Sequence, residues 1–241
     1  MIITIVNNTP QSGRSTLCIG LANSIAAKNY DAENPVIVFD CDPKLPLFDK
    51  FSKEMANRSH ILKEYQVIPL SIKNEEILYR TLAERRKCPG YHLFDLPVNI
   101  DEWFYIRLFI SSNFIVVPLT ESSLNDGSGK KFLIYSIRTA SALQQMKAGV
   151  KARLLIVPVS SHKNKNTDVF FESLNSGKEQ IGRYFTVTPG VAMGEKLIEQ
   201  LSFKGFEENQ TEIFKPFSDY MLKLIEEVNK SANRSSFQQN S

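Results

Sequence analysis

The chain has 241 residues, 42% hydrophobic and 23% charged, with a formal net charge of +3. That is room for one large α/β domain or two small ones, with the balance of an ordinary globular protein. It contains no apolar run near the roughly 18–20 residues that span a bilayer, and its start has no basic segment or cleavage site of the kind a secretory signal needs.

The first predicted element is a strand over Ile2–Val6, a β-branched run that stops at Asn7. A polar loop follows, and a helix is expected over Ser15–Ala27, with Leu17, Leu21, Ala22 and Ile25 near one face. Strands are then expected at Val36–Phe39 and Gln66–Leu70, and a helix over Asn74–Arg86 with Ile77, Leu78 and Leu82 inward. Further strands fall at Tyr91–Phe94, Phe114–Leu119 and Leu154–Val159, with a weaker one at Tyr184–Val187. Between them, Lys130–Met146 carries Leu133, Ile134, Ile137, Ala140 and Leu143 at helical spacing. The last helix is expected over Pro216–Lys230, with Phe217, Met221, Leu224, Ile225 and Val228 on one stripe.

The strand runs are continuous rather than alternating, as parallel strands buried on both faces require. The expectation is a doubly wound α/β domain over residues 1–230, with a mostly parallel sheet of about seven strands and helices on both faces. Residues 231–241, made largely of Ser, Asn and Gln, are expected to form a disordered tail. Cys18, Cys41 and Cys88 are widely spaced, fit reduced cytoplasmic thiols, and read as small hydrophobes rather than metal ligands.

In such a sheet, ligands sit beyond the carboxyl ends of the strands. Three of those ends carry candidate chemistry. After the first strand comes Thr9-Pro10-Gln11-Ser12-Gly13-Arg14-Ser15-Thr16, the order of a phosphate-binding loop entering a helix. Gly13 would let backbone approach a phosphate, Arg14 would reach the terminal phosphates, and Ser15 would ligate Mg²⁺. A structural helix start with a hydroxyl cap would read much the same. The second end is Asp40-Cys41-Asp42 and the third is Asp95. Each is placed for a Mg²⁺-supporting carboxylate or, alternatively, for capping the following helix. Together the three ends favour a nucleotide site.

These motifs resemble the ParA/MinD family of deviant-Walker P-loop ATPases, which partition plasmids and chromosomes or position cellular machinery. The resemblance runs from Met1 to about Val228 and rests on the Gly13–Thr16 loop, Asp40-Cys41-Asp42-Pro43 and Asp95-Leu96-Pro97. It implies ATP/ADP and Mg²⁺ as cofactors, with residues Thr9–Thr16 holding the nucleotide. It further implies Asp42 orienting the attacking water, Arg14 at the phosphates, and Ser15, Asp40 and Asp95 serving the metal. Ser160 or His162 and the Thr188–Met193 loop would face the adenine.

The departures are specific. Thr9 stands where the family has the Lys that crosses to a partner's phosphates, Pro10 lacks an N–H, and Gln11 adds bulk. Arg14 replaces the loop Lys with a planar fork. The expectation is therefore a cytoplasmic ParA-like nucleotide-binding protein of DNA partition or positioning with weak or altered ATPase activity; the alternative is a non-hydrolysing scaffold that kept the fold. A ParB-like or other adaptor and a homodimer follow as possible partners. Lys130-Lys131, Lys163-Asn164-Lys165, Lys196 and Lys204 would serve nonspecific DNA contact, or a solvated face. No membrane association is expected, because the last helix mixes Glu226 and Glu227 with Lys223 and Lys230. Trp103, Phe104, Tyr105 and Phe109 read as core, or alternatively as a partner surface.

Overall fold

The opening β-branched run forms β1 (Ile2–Ile5), and its side chains alternate between two cores as a pleated strand demands. Ile3 and Ile5 enter one cluster; Ile2 and Val6 enter the other. The same alternation holds on the neighbours: Val38 and Val116 lie on the first side, Phe39 and Val117 on the second. Strands in the middle of the sheet are thus buried on both faces, which explains their continuous apolar reading.

The computed structural model describes residues 1–29, 33–44, 46–56, 65–70, 75–98, 102–146, 152–160, 172, 184–193 and 208–238. After β1 come α1 (Arg14–Asn29), β2 (Val36–Asp40), α2 (Pro46–Ala56) and β3 (Gln66–Pro69). Next are α3 (Glu75–Arg85), β4 (Tyr91–Asp95), α4 (Glu102–Ser111), β5 (Phe114–Thr120) and α5 (Glu121–Asn125). The chain continues through α6 (Ser128–Gln145), β6 (Arg153–Ser160), β7 (Phe185–Val187) and β8 (Val191–Ala192) to a final helix, α7 (Glu208–Gln238).

The sheet order is β3-β2-β4-β1-β5-β6-β7, with β8 also pairing β6, and the described pairings are parallel. From β1 the chain first winds toward β2 and β3, returns to β4 beside β1, and then crosses to β5 on the other side. The direction of winding reverses about β1, so the loops after β1 and β4 flank a topological switch point. The doubly wound, parallel architecture is the one expected from the sequence.

Helices α1 and α7 cover one face of the sheet; α3, α4 and α6 cover the other. The α1–α7 crossing is close: a Cβ on Gly20 would lie 2.4 Å from the Phe214 ring. Ser24 and Ser218 share a buried 2.7 Å hydrogen bond one turn further along.

Some details differ from the sequence reading. Ile77 (48% exposed) and Ile134 (49% exposed) face outward, although their spacing suggested core. Helix α7 begins before Pro216 and runs past Lys230 to Gln238, into the segment expected to be disordered. Of the aromatic run, Phe104, Tyr105 and Phe109 are buried while Trp103 is 72% exposed. Among the described residues, no helix is long and apolar enough to cross a membrane.

Candidate functional site

The loop after β1 is fixed from beneath by Asn7, a fully buried residue that the sequence marks only as the end of the first strand. Its amide nitrogen donates to the Pro118 carbonyl on β5, while its oxygen accepts the Thr9 N–H at 2.9 Å. A polar residue ending an otherwise apolar strand was the available signal. Thr9 is buried, and its hydroxyl shares a 3.2 Å hydrogen bond with Ser128 at the start of α6. The position where the resemblance places a long cationic side chain is therefore occupied by a short contact within the same chain.

Pro10 and Gln11 form the exposed tip of the loop. Gln11 has φ +55°, left-handed geometry uncommon outside glycine. Gly13 has φ +81°, and a Cβ there would sit 2.9 Å from the Met193 sulfur and 3.5 Å from Val159. The positive φ favours glycine, and any larger side chain would also have to displace Met193. The Gly13 carbonyl accepts the Leu17 N–H at 2.9 Å, which starts α1. The 16-residue helix thus opens with its unpaired N–H groups and positive dipole end at the loop. The Ser12 hydroxyl is buried there with no partner among the described residues, and Thr16, four positions on, is buried as well.

Two side chains join this loop to the end of β4. Ser15 Oγ donates to Asp95 Oδ2 at 2.5 Å. Arg14 donates from Nη1 to the Leu96 carbonyl, so its guanidinium lies against β4. The sequence reading expected Arg14 at the terminal phosphates and did not foresee this lateral bond; a backbone carbonyl leaves no trace in a sequence pattern.

Asp40 and Asp95 are paired in register on β2 and β4. Asp40 Oδ2 accepts the N–H groups of Leu47 and Phe48, each at 2.9 Å, and its Oδ1 accepts that of Asp42 at 3.2 Å. It thereby holds the first turn of α2, the helix-capping alternative of the sequence reading. Burial raises its pKa against the pull of those three donors. Asp42 is half-buried, with Oδ1 accepting the Lys44 N–H at 2.9 Å.

Asp95 is 1% exposed, and burial pushes its pKa up to about 7 although Ser15 and Arg14 favour the charged form. Asp40 and Asp42 add further upward pressure. Its Oδ1 is buried without a partner among the described residues. A carboxylate held this way becomes fully ionised when a cation is placed beside it. Among the described residues, no three His, Cys, Asp or Glu side chains converge to hold a metal alone. The donor set of one hydroxyl and one carboxylate suits Mg²⁺, which keeps waters and phosphate oxygens for its remaining positions.

The Thr188–Met193 loop returns to the same edge. The Thr188 N–H donates to Ile156 at 2.9 Å and that of Met193 to Ser160 at 2.7 Å, so the loop runs alongside β6 and sets Met193 on Gly13. Ser160 ends β6 and is half-buried. His162, Lys163, Asn164, Lys165, Lys196 and Lys204 lie outside the described residues. Lys130 and Lys131 are exposed in the first turn of α6.

A phosphate-type loop after β1, facing an Asp that ends the adjacent strand of a parallel sheet, defines an α/β P-loop NTPase fold. No protein-family model matches the chain, and no curated protein matches its sequence. Solved structures match its fold. A plasmid partition protein from Borrelia burgdorferi is 15% identical, with a TM-score of 0.61 over 92% of this chain and 97% of the other. A variant of Cyanothece McdA in complex with ATP is 16% identical, with a TM-score of 0.62 over 90% of this chain and 94% of the other. Cobyrinic acid a,c-diamide synthase from Mycobacterium smegmatis, with bound ATP analog and magnesium, is 16% identical, with a TM-score of 0.60 over 92% and 94%. The chain shares the fold of these proteins.

Proposed function

We propose that this chain is a ParA-like nucleotide-binding switch acting in DNA partition or cellular positioning, with slow turnover. The observation that carries the reading is the Ser15–Asp95 hydrogen bond, which joins the N-terminus of α1 to the end of β4. The Ser12 hydroxyl and Asp95 Oδ1, buried with no partner among the described residues, support it as polar atoms open to a ligand. The partition protein and McdA supply the functional analogy, and the ATP, ATP analog and magnesium seen in the neighbours supply the ligand class.

In this reading the Thr9–Thr16 loop cradles the phosphates through the backbone N–H groups at the start of α1, with Ser12 and Thr16 adding hydroxyl donors. Ser15 and Asp95 would hold Mg²⁺, which neutralises charge on the phosphate oxygens. Asp42, half-buried at the end of β2, orients the attacking water. Asp40 acts through α2, fixing the loop that carries Asp42, and adds negative potential at the metal position.

Arg14 must leave the Leu96 carbonyl to reach a phosphate, and Thr9 has no charge to offer a partner's nucleotide. Both features argue for slow hydrolysis. They also favour the second reading, a non-hydrolysing scaffold that has kept the fold and lost the ligand. Calorimetry separates the two: the switch binds ATP with micromolar affinity in Mg²⁺, whereas the scaffold shows no heat at millimolar ATP. A ParB-like adaptor, nonspecific DNA and a nucleotide-dependent homodimer are the partners of the first reading. Salt-sensitive retention on a DNA column, lost in a Lys130→Ala/Lys131→Ala variant, is the expected mark of the DNA contact.

A further inference from the structure

The outer faces of α3 and α4 form one surface that the nucleotide reading does not use. On α4, Trp103, Arg107 and Ile110 recur at the four- and three-residue steps that align side chains along a helix. On α3 and the turn that continues it, Tyr79, Ala83 and Arg86 recur at the same steps. The two stripes meet: the Arg107 guanidinium lies 4.8 Å from the centre of the Tyr79 ring, and Arg86 donates to the Ile110 carbonyl at 3.3 Å.

Trp103 is 72% exposed, Tyr79 43% and Ile110 37%. The core beneath is already filled by Phe104, Tyr105, Leu108 and Phe109 from α4 and by Leu78 and Leu82 from α3. Trp103 is therefore not needed to bury this helix. Exposed Trp and Tyr next to Arg is the composition of an interface anchor.

Charge selects the occupant. The described ion pairs join Lys28 to Glu226, Arg80 to Glu76 and Arg153 to Glu227; none of them includes Arg86 or Arg107. The strip thus presents aromatic and aliphatic surface flanked by two arginines without carboxylate partners among the described residues. A two-fold copy of the chain would bring four such arginines to one interface, at an electrostatic cost. A helix with an apolar ridge and carboxylates along its edges satisfies both the apolar strip and the guanidiniums.

We propose that the α3–α4 face is the docking surface for an acidic amphipathic helix of a protein partner. The surface lies on the opposite side of the sheet from α1, so the proposal stands apart from the nucleotide reading.

The chain's single tryptophan makes the test direct. The probe is a synthetic peptide of roughly 18 residues, long enough to form a helix, with a Leu ridge and Glu flanks. Its twin carries Lys at every Glu position. Each is titrated into the full chain while Trp103 emission is followed. The Glu peptide is expected to give a saturable blue shift, and the Lys twin to bind about tenfold more weakly or not at all. An Arg86→Glu/Arg107→Glu variant, checked for unchanged circular dichroism, is expected to reverse the preference. A Trp103→Ala variant, followed by anisotropy of labelled peptide, is expected to lose at least about tenfold in affinity.

Absence of binding by the Glu peptide, or equal binding of both peptides, overturns the proposal. So does sedimentation showing a concentration-dependent dimer of the chain alone that Trp103→Ala dissolves, because the surface then belongs to a second copy.

Discussion

Asp95 and His92 stand three residues apart on β4, both nearly fully buried, and burial acts on them in opposite directions. The Asp95 pKa lies at about 7 against an ordinary 3.8, so between those values the folded chain holds a proton that the unfolded chain has lost. This makes stability fall as pH rises from about 4 to 7. Burial lowers His92 from 6.5 to about 4, so over that window the unfolded chain holds the extra proton and stability rises with pH. Either group alone contributes a slope of about 1.4 kcal/mol per pH unit where it is fully expressed. The two largely cancel between pH 4 and 6.5. Urea denaturation without nucleotide or divalent cation should show it. The stability of Asp95→Asn relative to the parent should climb with pH up to about 7, and that of His92→Leu should decline up to about 6.5. Parallel curves for all three proteins would refute the account. Gly13 gives a second residue-scale expectation. Gly13→Ala places a Cβ at φ +81° and 2.9 Å from the Met193 sulfur, with a stability loss of roughly 1–2 kcal/mol from the left-handed backbone alone. Chemical denaturation reads the stability loss, and ATP affinity should fall with it. That Gly13, Ser15 and Asp95 stand at one edge of the sheet was legible in the sequence, because each comes at or after the end of a recognisable strand. Their bonds were not. The Arg14–Leu96 and Thr9–Ser128 contacts cross about 82 and 119 positions of the chain, and local pattern holds no record of such pairings.

At the scale of elements, the α1–α7 crossing joins the phosphate loop's helix to the last helix of the chain. Gly20 is the close point, since a Cβ there would fall 2.4 Å from an aromatic carbon of Phe214. Gly20→Ala should therefore destabilise by about 1–3 kcal/mol as the helices are forced apart, despite alanine's better helix propensity. Phe214→Leu in the same chain should recover part of that loss. The Lys28–Glu226 ion pair further along the crossing has both side chains about half-exposed, so Lys28→Met should leave the midpoint of urea denaturation nearly unchanged. The inward faces of α1 and of the Phe217–Ile225 part of α7 were readable because their apolar spacing is long and regular. Ile77 and Ile134 misled for the opposite reason: in α3 and α6, apolar residues also cover outward positions. Helix α2 was not foreseen. Its first turn is set by Asp40, seven and eight positions before the N–H groups it accepts, beyond the usual capping distance.

For the molecule as a whole, the sequence was most informative about architecture. Continuous apolar strands ending in Asn7, Asp40 and Asp95 predicted a parallel sheet with a switch-point site, and the order β3-β2-β4-β1-β5-β6-β7 places those ends together. What it left open was activity, since the departures at Thr9, Pro10, Gln11 and Arg14 bear on charge and reach rather than on fold. The central claim is that the N-terminus of α1, with Ser15 and Asp95, holds a nucleotide. Thermal unfolding with and without ATP and Mg²⁺ tests it most directly, because a ligand bound only by the folded chain stabilises it by mass action. At an ATP concentration about a hundred times Kd, the gain is about 2.7 kcal/mol, or a Tm rise of roughly 5–10 °C for a chain of this size. The expected result is such a rise for the parent chain and little or none for a Ser15→Ala/Asp95→Asn variant that is itself folded. An unchanged Tm for the parent at millimolar ATP, with Mg²⁺ or without it, would contradict the claim.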